Sequence, residues 1–246
     1  MVRIAVDAMG GDHSPAVVVE GIRLLPSGED IAILLVGDPD AIAACDVAGL
    51  PVEVIPARDV VEMHESPSAA LKKKPNSSIA VCMNLVKEGR ADAAVSMGNT
   101  GAVMAFALFL LERVPGVSRP AIATVIPSPS KPTLLLDVGA NVDCKPIHLA
   151  QFAVMGAIYM EEVLGRPNPT VGLLSIGSEA SKGNETTIAA RALLEGAPVN
   201  FAGHAEGNDI FAGAFDVVVC DGFVGNIVPS SARAWRTFSS GRHSPT

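Results

Sequence analysis

The 246-residue chain contains no Cys-x-x-Cys pair, and its four cysteines, Cys45, Cys82, Cys144 and Cys220, are widely scattered. That spacing excludes a zinc knuckle and a disulfide framework, and points to free thiols in a reducing compartment. Basic residues are in deficit: 18 Lys and Arg stand against 26 Asp and Glu, for a formal charge of −8. There is thus no electrostatic footprint for nucleic acid, which needs a basic face. Long apolar runs are missing too. Mean hydropathy is +0.38, yet the longest wholly apolar run, residues 102–111, is about half of the ~20 residues a spanning helix needs. The N-terminus reads as a strand and lacks the layout of a signal peptide. These absences predict a soluble, cytoplasmic protein. Disorder is excluded from the other direction, because 49% of the residues are hydrophobic.

What the sequence does have is one recurring pattern. A short β-branched run ends in Gly with Asp, Asn or Ser, and a helical pattern usually follows. It occurs at residues 4–12, 33–38, 93–100, 134–141, 173–178 and 217–222. Continuous rather than alternating apolar runs suit strands buried on both faces. The alternation with helices predicts an α/β fold, a mainly parallel multi-stranded sheet with helices on both faces. Residues 52–56, 121–126 and 199–202 are candidates for further strands. Helix starts are expected at Ser14-Pro15, Ser77-Ser78, Thr100, Lys145-Pro146 and Asn184, with ends near Leu25, Gly89, Arg113, Gly165 and Gly196. The Pro- and Ser-rich stretch 127–132 reads as a hinge or a surface loop.

In a parallel sheet, ligands bind beyond the carboxyl ends of the strands, where each Gly-Asp/Asn/Ser element should lie. Gly98-Asn99-Thr100-Gly101 is an anion cradle or a tight strand-to-helix turn. Residues 7–13, Asp-Ala-Met-Gly-Gly-Asp-His, match neither GxGxxG nor GxxxxGK[ST], so the nucleotide fingerprints fail. Asp7 and Asp12 suit a metal or a capped turn; His13 suits a ligand, a base or a capping group. Lys182 precedes a helix start, where a cation is electrostatically unfavourable, and this makes it a better functional candidate than a lysine on a solvated face. Ser96 only partly echoes a GxSxG elbow, with Ala94 in place of the first Gly and no obvious His partner. Cys220 reads as a small core residue and the lysines 72–74 as a solvated helix end.

Five motifs in order then resemble one family. Ile-Ala-Val-Asp-Ala-Met-Gly-Gly-Asp-His (4–13), Ser-Met-Gly-Asn-Thr-Gly-Ala (96–102), Leu-Asp-Val-Gly-Ala-Asn-Val-Asp (136–143), Lys-Gly-Asn-Glu (182–185) and Asp-Gly-Phe-Val-Gly-Asn (221–226) are similar to the bacterial phosphate acyltransferases of the PlsX family. The resemblance runs from residue 2 to about Val228. It implies a fold related to phosphotransacetylase and the isocitrate/isopropylmalate dehydrogenase group. It also implies transfer of a fatty acyl group from acyl-carrier protein to orthophosphate, giving acyl phosphate for phospholipid synthesis. Lys182 and Asn226 match the family's proposed active-site lysine and asparagine. Asp7, Gly10, Gly11, Asp12, His13, Gly98, Asn99, Thr100, Gly101, Asp137 and Asn141 are the candidate substrate or phosphate contacts. No metal and no cofactor is expected. The implied partners are acyl-carrier protein, orthophosphate, a second copy in a homodimer and, downstream, a membrane glycerol-3-phosphate acyltransferase of the PlsY type. Location would be cytoplasmic, peripheral to the inner face of the membrane.

The chemistry suits these residue types. A thioester releases a thiol of normal pKa about 8.5, so a strong general acid is unnecessary. Phosphate is itself the nucleophile, and the protein must hold a dianion and stabilise an oxyanion. From Pro229 the pattern breaks into a basic tail with three arginines, five serines and no acid. The expected organisation is therefore an incomplete acyltransferase-like domain, 1–228, and an unrelated tail, 229–246, produced by truncation or a frame shift. That would leave apolar surface uncovered. Two rival readings remain open: a non-catalytic fragment that binds carrier protein or a full-length partner, and a same-fold enzyme using acyl-CoA or a nicotinamide cofactor.

Overall fold

A computed structural model describes residues 1–26, 28 and 30–228; the expected tail from Pro229 lies outside the described residues. The chain divides into two compact units, Met1–Arg113 and Val114–Thr246.

The first unit runs β1 (Val2–Asp7), α1 (Ala16–Arg23), β2 (Ile31–Gly37), α2 (Pro39–Ala43), β3 (Val52–Pro56), α3 (Pro67–Lys73), α4 (Ser78–Lys87), β4 (Ala93–Val95) and α5 (Thr100–Leu110). Its four strands form an all-parallel sheet in the order β3-β2-β1-β4. Successive residues of a strand point to opposite faces, and both faces are covered. On one, Val6, Ile33 and Leu35 pack with Val18, Val19 and Ile22 of α1 and Ile42 of α2. On the other, Ala5, Leu34 and Val36 pack with Cys82 and Leu85 of α4. This double burial is why the strands read as unbroken apolar runs.

The second unit runs β5 (Ala123–Ile126), β6 (Thr133–Leu136), α6 (Pro146–Glu162), β7 (Thr170–Leu174), α7 (Glu185–Glu195), β8 (Asn200–Ala205), α8 (Gly207–Ala212) and β9 (Val217–Val219). The sheet order is β5-β6-β9-β7-β8, parallel except for the antiparallel β5–β6 pair. Leu134, Leu136, Val171, Leu173, Val217 and Val219 face α6 and α7. Leu135, Val218 and Cys220 face Ile210 of α8. Helix α6 lies close on the sheet at Gly156, where a Cβ would come within 2.7 Å of Val217 Cγ1.

Several local expectations need revising. Ser14 does not cap α1: its hydroxyl donates back to the Gly10 carbonyl, and the helix begins at Ala16 after Pro15. Asn99, not Thr100, caps α5, its Oδ1 accepting from the Ala102 amide at 3.0 Å. Of the two readings of stretch 127–132 the surface loop stands: it connects the β5–β6 antiparallel pair and is closed by Ser128 Oγ donating to the Lys131 carbonyl at 2.6 Å. Among the lysines 72–74 the last is not merely solvated. Lys74 Nζ reaches Glu65 and the Val60 carbonyl, both at 2.6 Å, and this pairing holds the Glu65 carboxyl below its usual range. Among the described residues, no helix is long and apolar enough to cross a membrane.

Candidate active site

Because the strands are parallel, the motif residues collect at their carboxyl ends, one group in each unit. In the first unit the turn after β1 meets the turn after β4. Asp7, fully buried, accepts from the Met9 amide at 3.0 Å and from Ser96 Oγ at 2.7 Å. Ser96 Oγ in turn accepts from the Gly98 amide at 3.1 Å. Gly10 sits between them: a Cβ there would be 2.7 Å from both Asp7 Oδ2 and the Gly98 nitrogen. Ser96 is thus the link joining two glycine turns. Asn99 is also spent within the protein, since its Nδ2 donates to the carbonyls of Glu62, Met63 and Glu65 at 3.2, 3.1 and 2.9 Å. Asp12, His13, Thr100 and Gly101 are exposed and Gly11 is half-buried.

In the second unit the turns after β6 and β9 form one polar cluster. Asp137 is fully buried and accepts four bonds: Ile122 N at 2.9 Å, Ala140 N at 3.1 Å, Asn141 N at 2.6 Å and Asn141 Nδ2 at 2.8 Å. Asn141 Nδ2 also reaches the Pro120 carbonyl at 2.8 Å. Gly222 and Gly225 rest on this carboxylate and its backbone; a Cβ on Gly225 would overlap the Asp137 carbonyl oxygen. Gly139, at φ +113, turns its bare side to Asn226, whose Oδ1 would lie 3.4 Å from a Cβ there. Asp221 opens the helical residues 222–228 by accepting from the Phe223 amide at 2.8 Å, and its other oxygen takes the Cys144 amide at 2.9 Å.

Lys182 lies on the loop from β7 to α7. Its amide donates to the Glu179 carbonyl at 3.0 Å, and its aliphatic stem runs beside Gly177, whose Cβ would be 3.2 Å from Lys182 Cγ. Gly183, at φ +115, then turns the chain into α7, capped by Asn184 Oδ1 on the Thr187 amide at 2.9 Å.

A cavity of about 850 Å³ opens between these turns. One side is Ser175, Ile176, Gly183, Asn184 and Thr187; the other is Asp221, Phe223 and Val224, with Leu149 and Leu174 in the wall. Lys182 and Asn226 each stand within two residues of its lining. Two sulfurs are present, and both are held as thiols. Burial first, then the charge of Asp221, pushes the Cys144 thiol up to about 12. Burial, then Asp137 and Asp221, raises the Cys220 thiol as well. His148 sits at the start of α6, its Nδ1 accepting from the Lys145 amide at 3.1 Å. Burial, helped by Arg119 and Lys145, lowers its pKa. No group of three metal-binding side chains occurs among the described residues.

Sequence reasoning singled out the two ends of this cavity but missed Ser175 and Thr187 in its wall, and His204 behind the Lys182 loop. The first two could have been found from their places after a strand and inside a helix's first turn. His204 lies two residues past the expected strand 199–202, within the longer β8 that forms, and gives no local signal.

A family model described as "Fatty acid synthesis protein" matches residues 2–239. A phosphate acyltransferase of Desulforamulus reducens is 53% identical over 235 residues, which is 94% of this chain and 71% of that protein. One from Desulforudis audaxviator is 55% identical over 225 residues, 92% of this chain and 67% of that protein. Among solved structures, the EutD phosphotransacetylase of Staphylococcus aureus superposes with a TM-score of 0.67 at 17% identity, covering 96% of this chain and 82% of that one. A phosphotransacetylase of Streptococcus pyogenes gives 0.66 at 18%, with the same coverage. The structural likeness at such low identity establishes the α/β fold. The sequence matches go further: the chain belongs to the fatty acid synthesis protein family and is a phosphate acyltransferase.

Proposed function

We propose that the enzyme takes a fatty acyl group from the thioester of acyl-carrier protein and passes it to orthophosphate. A phosphate oxygen attacks the thioester carbonyl, the carbon–sulfur bond breaks, and acyl phosphate leaves together with the carrier's thiol, which takes up the proton. The observation that carries this reading is the make-up of the cavity in the second unit. It has an apolar side, a polar edge at the start of an 11-residue helix, and two sulfurs held as thiols. A thiol of raised pKa is a poor nucleophile, which favours an attacking group that arrives with the substrates. Phosphate meets that need without an acyl-enzyme intermediate.

Lys182 and Asn226 are the groups we assign to the reacting carbonyl and the incoming dianion, by charge and by amide hydrogen bonds. Asp137 has both carboxylate oxygens engaged by the protein, and Asn141 Nδ2 is held by Asp137 and the Pro120 carbonyl, so together they shape the turn beneath Asn226. In the first unit, the turns holding Gly10, Gly11, Asp12, His13 and Gly98, Thr100, Gly101 are a second anion cradle, framed by Asp7 and Asn99. The proposed partners are acyl-carrier protein, a second copy of this chain and, downstream, a membrane glycerol-3-phosphate acyltransferase. The place of work is the cytoplasm at the inner face of the membrane.

The test is thiol release from acyl-carrier protein and from acyl-CoA, each with and without phosphate. Release from the carrier that requires phosphate and yields a hydroxylamine-reactive acyl phosphate is expected. Release indifferent to phosphate, or confined to acyl-CoA, would overturn the proposal.

A further inference from the structure

The Lys182 loop has an anchor that no sequence pattern announces. His204 lies on β8, opposite Leu173 of β7, and is only 5% exposed. Its Nδ1 is 3.0 Å from the Glu179 carbonyl oxygen. That carbonyl can only accept, so Nδ1 carries the hydrogen and donates it. The same carbonyl accepts the Lys182 amide, also at 3.0 Å. One oxygen therefore gathers a buried ring from the sheet and the backbone of the lysine. The loop has few other fixed points: residues 178–182 are exposed, while Gly177 lies against the lysine stem. No hydrogen-bond partner for His204 Nε2 occurs among the described residues. A histidine buried at such cost to its second nitrogen is poor economy for packing alone, which Leu would serve without an orphaned polar atom.

We infer that His204 is a positioning residue for the reaction: through the Glu179 carbonyl it fixes the turn that sets where Lys182 stands at the cavity. The inference rests on the reading of Lys182 as the group at the reacting carbonyl. Its physical half, that His204 holds the Lys182 turn, stands apart from that reading. Geometry of this kind matters because a catalytic cation displaced by an ångström loses much of its effect on a developing charge.

Two substitutions separate the roles. His204→Leu keeps the bulk and removes the donor. His204→Asn removes most of the ring but places its amide nitrogen near the Nδ1 position. Residue-resolved hydrogen exchange on the full chain is the first measurement. In His204→Leu the Lys182 amide should exchange ~10-fold faster, the scale of one lost hydrogen bond, while Leu173 in the sheet keeps its protection. His204→Asn should restore most of the Lys182 protection. Equal exchange at Lys182 in all three proteins, or loss of protection through β7 and β8 together, would overturn the anchoring.

The second measurement is a cycle on phosphate-dependent thiol release. His204→Leu should lower kcat ~10-fold with little change in KM for the acyl donor, and His204→Asn should recover it. In a Lys182→Ala background His204→Leu should cost nothing further, because both act through one group. Multiplying losses would refute the positioning role while leaving Lys182 in place. Full activity of Lys182→Ala alone would instead remove the catalytic reading of the lysine, with the exchange data still deciding whether His204 anchors the loop.

Discussion

Lys182 and Asp137 show how differently two motif residues work. Lys182 is exposed on a loop and contributes stem contacts with Gly177. Lys182→Ala should therefore leave the melting temperature almost unchanged and lower kcat for acyl transfer at least ~100-fold, the scale of one lost contact to a transition-state charge. Steady-state kinetics beside a thermal melt checks both halves, and near-normal turnover would contradict the assignment. Asp137 is the reverse case. Its carboxylate gathers four donors from Ile122, Ala140 and Asn141. Asp137→Ala strands those donors in a buried place and should destabilise the second unit by about 2–4 kcal/mol. Urea unfolding would show it, and a loss below ~0.5 kcal/mol would mean that water replaces the carboxylate. The lysine stands out in the sequence as a candidate because a cation before a helix start is out of place. The structural duties of Asp137, Ser96 and Asn99 do not stand out, because beside its local turn bonds each also binds a residue 15 to 89 positions away. A turn motif looks the same whether its polar atoms face a ligand or the protein.

At the scale of elements, the strands and longer helices were readable because double burial leaves a continuous apolar run and capping leaves a polar residue at a fixed offset. Asn184 before α7 and residues 52–56 as β3 stand as expected. The short helices α2 and α8 escaped notice, and of α3 only the lysine end was read, the three being only five, six and seven residues long, with too few turns for an apolar stripe. Their caps were nevertheless present, in Asp38-Pro39, Ser66-Pro67 and Glu206 with Asp209. One junction between elements also has a pH signature. Asp216, just before β9, accepts from Thr170 N at 2.9 Å and Thr170 Oγ1 at 2.7 Å at the start of β7, and pairs with Lys131 at 2.8 Å before β6. Burial alone would raise its pKa, but the bonds from Lys131 and Thr170 outweigh burial and hold it below the usual value. A carboxyl lowered by folding stabilises the protein above its unfolded pKa, about 3.9, and that contribution disappears as pH falls through the folded value. Asp216→Asn should thus be less stable than the parent by about 1–2 kcal/mol at pH 7. The gap should persist down to about pH 4 and close below it. Denaturation curves from pH 7 to pH 2.5 would test this; a gap that widens in acid would reverse the sign of the argument.

For the molecule as a whole, the division into two units was not legible, since strand-then-helix repeats read alike on both sides of Arg113. Nor could composition show which apolar residues stay outside. On the outer side of α6 a groove of about 670 Å³ is lined by Val114, Ile147, Val154, Ile158, Tyr159 and Leu193 among others, and Ile158 is 53% exposed. If a second copy covers this face, Ile158→Glu should shift the sedimenting mass toward one chain at micromolar concentration, because a charge in an apolar contact is costly. An unchanged mass would place the contact elsewhere. The two-unit layout carries one further consequence, for synthesis in the cell. Each sheet is built from strands contiguous in the chain, β1 to β4 in the first unit and β5 to β9 in the second. The ribosome therefore delivers every partner of the first sheet before any strand of the second exists. At ~5–20 residues per second, the second unit takes on the order of ten seconds to appear, longer than a small α/β domain needs to fold. Nascent first units can thus bury their apolar strands before the next set of hydrophobic segments emerges to compete for them.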